Sequence, residues 1–237
     1  MQKTENAYDK ARKEEPKVST LNYFWIDGFF GGNQDCFKDP MMKLGGCAAA
    51  AACDTCIELQ LHKGMKGLCT EEPEGMTMET YRIFADQMKP YLRPRAGGIS
   101  RLSIYREGFG QYLQDRGIDS LKMKELPGTA DLKEAETAVK NQIDDGFPVP
   151  FLLLKHKSDY MKEYVWHWFM LVGYARTEEA FFVKTSTYGE AHWLSLAELW
   201  NTGYEERGGM ILYEEERNST NTQNYFEKSE DMLYNKK

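Results

Sequence analysis

The stretch LGGCAAAAACDTCIELQLHKG, residues 44–64, constrains this chain more than any other. Two glycines break the backbone, and the alanine run behind them has the highest intrinsic helix propensity available. The pattern predicts a helix from Cys47 to His62, closed by Gly64. An alanine-covered helix is narrow and lets neighbouring elements come close, so its place is the middle of a domain.

Around this helix the chain reads as helices first and strands later. Helices are expected at Met78–Met88, with Thr77 as N-cap and Pro90 beyond the end, and at about 103–115, stopped by Gly117. DSLKMKEL alternates apolar and polar residues and suits a short strand. Residues 131–145 place Leu132, Ala135, Val139 and Ile143 on one helical stripe. Beyond Gly146, the segments PVPFLLLK, VWHWFMLVGYA, AFFVKTST and GGMILYEE are rich in β-branched and aromatic residues, with a short helix at Leu196–Trp200 before the last. The order predicts an α+β fold in which a helical lobe meets a mainly antiparallel sheet across a cleft. Residues 1–18 are expected as a charged arm, 19–213 as one domain and 214–237 as a polar tail in which NYFEKSEDMLY has the makings of a docking helix. The aromatic segment 21–37 is read as irregular, pinned by Tyr23, Phe24, Trp25, Phe29 and Phe30.

Bulk properties exclude several functions. The 237 residues carry a formal charge of −7, which argues against a nucleic-acid backbone or an anionic membrane surface as the main partner. No run of 18 or more apolar residues occurs, so no membrane span is expected. The opening residues lack the apolar core of a secretory signal, and the expected location is the cytoplasm. Five cysteines, an odd number, point away from a disulfide framework. CDTC has no second pair at zinc spacing, and GLCTEEPEG is too poor in glycine to hold phosphate, so neither metal nor cofactor is expected.

Cys47 is the cysteine placed for chemistry, because the free N–H groups and positive dipole end of a helix N-terminus favour a thiolate. Cys53 and Cys56, deeper in the same helix, read as small buried hydrophobes. A thiol nucleophile needs a base. Of the four histidines, His62 lies about 22 Å along the helix from Cys47. His156 falls in a charged loop and His192 beside Trp193 on a short strand. His167 opens HWFMLVGY, where a titratable ring at the mouth of an apolar strand is a poor packing choice unless it does something.

A cysteine at a helix start after glycine, a helical stretch, then HWFMLVGY and FFVKTSTYG resembles the papain-like cysteine peptidases, in particular the compact bacterial double-glycine and bacteriocin-processing branch. The resemblance covers about residues 30–213, with a separation of 167 − 47 = 120 residues. It implies a papain-like fold, Cys47 as nucleophile, His167 as general base and a peptide or amide substrate cut through an acyl-thioester. The second oxyanion donor in that family is a glutamine about six residues before the cysteine. Position 41 is Met41 here, and Gln34 is the nearest substitute. The Asn or Asp that orients the ring falls on Ser186, followed by Thr187, Tyr188 and Gly189. A hydroxyl fixes a tautomer but does not stabilise an imidazolium as a carboxylate does. These departures leave two alternatives open: a catalytically weak or inactive peptide-binding protein, or an acyl or γ-glutamyl transferase on the same fold.

Overall fold

The computed structural model describes residues 16–95 and 97–216. The expected docking helix at 224–234 and most of the expected arm lie outside the described residues. The arm's last two residues belong instead to a strand, β1 (Lys17–Thr20).

The alanine-rich helix forms as the sequence dictates, α2 (Cys47–His62), and it is buried on almost every side. The buried set includes the polar Asp54, Thr55 and Glu58 beside the alanines and cysteines, so the helix lies within the core rather than on its surface. Three more helices flank it: α1 (Pro40–Gly45), α3 (Met78–Met88) and α4 (Leu102–Asp115). Helix α1 was not expected, although Asp39 caps it by accepting from the backbone N–H of Met41 and Met42. Pro40 occupies the first turn, where its missing N–H costs nothing.

The remaining strands are β2 (Trp25–Ile26), β3 (Phe29–Phe30), β4 (Leu121–Pro127), β5 (Val149–Leu153), β6 (His167–Arg176), β7 (Phe181–Thr187), β8 (Glu190–Ser195) and β9 (Gly208–Glu215). Helix α5 (Leu132–Asp144) falls between β4 and β5, and α6 (Leu196–Trp200) between β8 and β9. The main sheet runs β4-β9-β5-β6-β7-β8, with β1 also paired to β6, and every pairing is antiparallel. The α+β class expected from the element order therefore holds.

Strand alternation divides the core in two. Trp168, Met170 and Val172 of β6 pack toward α2, α3 and α4. Phe169 and Leu171 pack on the opposite face, toward α5 and α6. The segment expected to be irregular is in part a hairpin, since β2 and β3 pair around Asp27 and Gly28, both with positive φ. That is the backbone of a tight Asp-Gly turn. The Asp27 carboxylate also accepts from the Met78 N–H at 2.7 Å and so caps α3. Among the described residues, no helix is long and apolar enough to cross a membrane.

Glu58 of α2 is an acidic group in this core. One of its carboxylate oxygens has no hydrogen-bond partner, and His62 Nε2 lies 3.8 Å away. Burial, with a smaller push from Asp54, raises its pKa from the usual 4.5 to about 8. A raised acid pKa means that the fold favours the protonated form. Stability is therefore lost as pH rises between these two values. Glu58→Gln should match the wild type in thermal stability near pH 5 and exceed it near pH 9. The expected gain is at least about 2–4 °C, the shift that 1 kcal/mol produces in a domain of this size. A difference independent of pH would show that Glu58 does not carry this cost.

Candidate active site

The candidate site is assembled where the start of α2 meets the start of β6. Cys47 is the first residue of α2, with Gly46 as N-cap. Helix α1 ends directly on α2, and the Gly46 N–H donates to the Met42 carbonyl at 2.7 Å. A Cβ at position 46 would fall on that same carbonyl, so the close approach admits only glycine. The backbone N–H groups of Trp168, Ala48 and Cys47 itself are directed at the sulfur and lower its pKa. Burial outweighs them: Cys47 is 6% exposed, and its pKa is raised above the ordinary 9.0. The helix start acts on the sulfur as expected, but the resting group is a thiol rather than a thiolate.

His167, the first residue of β6, is 5% exposed. Burial lowers its pKa to about 4, so the ring is neutral at ordinary pH. Its Nε2 is 2.7 Å from Thr187 Oγ1, and the Tyr188 ring stacks on it at 4.7 Å and 3°. Trp166, before the histidine, and Tyr188, after the threonine, both have positive φ, at 56° and 50°. Aromatic residues pay for that conformation, and such outliers concentrate where structure holds a functional geometry.

The ring's partner is thus Thr187 and not Ser186. Adjacent residues of a strand point to opposite sides. Ser186 instead donates to the Phe30 carbonyl at 2.9 Å and holds the β2–β3 hairpin. The hydroxyl next to the Tyr-Gly pair was the signal in the sequence for Thr187.

Gln34 lies 47 − 34 = 13 residues before the cysteine, and the extra length is taken up by α1. It opens a 3₁₀ turn, Gln34–Cys36, capped by Asn33. The fold brings it to the recess that Cys47 also lines, with its Nε2 donating to the Lys43 carbonyl at 3.2 Å. An amide nitrogen has two hydrogens, so one donor remains free. Gln34 Oε1 is buried without a partner. Met41, at the family's spacing, is exposed on α1.

Gln34, Cys47, His167, Thr187 and Tyr188 line one recess of about 290 Å³, counted out to solvent. It has room for little more than a water molecule. Ser186 lines it too, through its position rather than through the ring. A separate, larger groove of about 1060 Å³ is lined by Trp166, Arg101, Leu102, Leu152, Leu154 and Arg207 among others. His156 and His192 are engaged elsewhere, with the Glu198 carbonyl and with Glu190. The five cysteines are all unpaired, and among the described residues no three His, Cys, Asp or Glu side chains are grouped to hold a metal. Set against known proteins, the chain matches no family model and no curated protein.

The neutral ring takes its proton on either nitrogen. Only the tautomer in which Nε2 donates to Thr187 leaves Nδ1 free to accept one. Thr187→Val keeps the shape and removes the hydroxyl. Imidazole ¹⁵N spectra should show a single His167 tautomer in the wild type and a mixture in the variant. Identical spectra would remove Thr187 from this role.

Proposed function

We propose that the chain is a thiol hydrolase of papain-like architecture that cleaves a peptide or amide bond. The observation that carries this reading is the meeting of Cys47, His167 and Gln34, from three separate parts of the chain, on one recess. As Cys47 Sγ attacks the carbonyl carbon, His167 Nδ1 takes the thiol proton. The S–C bond forms while the carbonyl oxygen gains the charge, and the Cys47 N–H and the free Gln34 N–H stabilise it. The imidazolium returns its proton to the leaving amine as the C–N bond breaks. Water, deprotonated by the same ring, then cleaves the thioester and releases a carboxylic acid, restoring the thiol. Proton transfer accompanies attack, because the raised thiol and lowered imidazole disfavour a standing ion pair.

A peptide-binding protein with little turnover is the second reading. It is favoured by the hydroxyl in place of a carboxylate beside His167 and by the small size of the recess.

Two measurements test the reading. An activated ester should leave an acyl group on Cys47, seen as a mass increase at that residue, and Cys47→Ala should abolish it. No adduct would favour the binding protein. Iodoacetamide labelling of Cys47 should rise about tenfold per pH unit up to pH ~9, because the thiolate fraction is still growing there. A plateau near neutral pH would mean a standing thiolate.

A further inference from the structure

Asp54 is a buried acid that the chemistry above does not use. It is 4% exposed, and its three partners are all uncharged. Tyr81 donates its hydroxyl to Oδ1 at 2.8 Å. The Tyr23 hydroxyl and the Gly32 N–H donate to Oδ2 at 2.9 Å and 3.1 Å. A carboxylate held inside a core without a cation is costly, and burial raises its pKa from 3.8 to about 6. A neutral residue would fill the space at lower cost, so the acid's position becomes the question.

Asp54 stands seven residues after Cys47, two turns along the same helix face and about 10 Å from it along the axis. Gly32, which it grips, stands two residues before Gln34, and both Asp54 and Gly32 line the recess. The fit is close: a Cβ on Gly32 would fall on the Tyr81 hydroxyl and lie 2.5 Å from Asp54 Oδ1. On its other side the loop is held by Ser186, through the Phe30 carbonyl. The loop with the second oxyanion donor is therefore bound to the helix with the nucleophile through one side chain.

We propose that Asp54 is a positioning residue, which by holding Gly32 and the two tyrosine hydroxyls on α2 places the Gln34 amide beside Cys47. The inference rests on the thiol-hydrolase reading. Its action on substrate passes through Gln34 and not through the sulfur, and this separates it from a general packing role. Acyl transfer develops an oxyanion, whereas alkylation by iodoacetamide develops none.

The experiment compares both reactions in the full chain, with p-nitrophenyl acetate as acyl donor, for wild type, Asp54→Ala, Asp54→Asn, Gly32→Ala, Gln34→Ala and the Asp54→Ala/Gln34→Ala double variant. Gln34→Ala should slow acetylation of Cys47 by about 10²-fold, the usual cost of one oxyanion donor. Asp54→Ala should slow it by about 10-fold or more while leaving alkylation within about twofold of wild type. The double variant should be no slower than Gln34→Ala alone, the non-additivity expected when one residue acts through the other. Asp54→Asn should recover most of the rate. Its carbonyl keeps the Gly32 N–H, and its amide donates to Tyr81, whose hydroxyl turns to the Ala50 carbonyl 3.3 Å away. Should Asp54→Ala fail to fold, Gly32→Ala decides, since it pushes the loop off α2 with the acid in place.

Wild-type acetylation in folded Asp54→Ala or Gly32→Ala overturns the inference, as do additive losses in the double variant or an equal slowing of alkylation. Failure of the wild type itself to acetylate at Cys47 overturns the thiol-hydrolase reading, and the inference with it.

Discussion

The structure depends on the packing of α2 against β6. Alanine side chains make this possible, because they let a helix backbone lie almost on a sheet without leaving a void. Ala48, Ala49, Ala51 and Ala52 are all buried there, with Trp168, Met170 and Val172 of β6 facing them. From that contact follow the place of Cys47 at one end of the helix, the place of His167 at the start of the strand, and the direction of the Trp168 N–H toward the sulfur. A larger residue at an alanine position would move all three together.

The same packing sets the protonation of the site. Loss of water around the Cys47 sulfur raises its pKa and prevails over the backbone donors that act in the direction of a thiolate. His167 suffers the matching effect in the other sense. Both partners are kept neutral by the enclosure that brings them together. In the proposed reaction, the same enclosure that raises the thiol would strengthen the donors that face the oxyanion.

Regular structure was legible because its signals are local. The bounds of α2 and α3 follow from glycine, alanine, Thr77 and Pro90, and the β6 and β7 strands from their apolar runs. Two local signals were present but unread: Asp-Gly between aromatic pairs, which is the β2–β3 turn, and Asp-Pro before Met41, which starts α1. Of the residues named from the sequence, Gln34, Cys47, His167 and Ser186 all line one recess. Cys47 and His167 could be named from their positions at the start of a helix and a strand. That Gln34 returns across 13 residues depends on α1 folding between them. The choice of Thr187 over Ser186 depends on which side of β7 meets the ring, and this is a matter of register. The protonation of the thiol was not legible, because burial is a property of the whole packing and not of any neighbour in sequence.

Among the described residues the main path of the sheet ends on β4 and β8. A border strand offers unpaired N–H and carbonyl groups, which invite a foreign strand. In β4 that invitation is spoiled by Lys122, Lys124 and Glu125 and by Pro127, which has no N–H to give. In β8, Glu190 and the exposed His192 play a similar part. Charged side chains and a proline at these two strands thus make the ends of the sheet poor templates for a further strand.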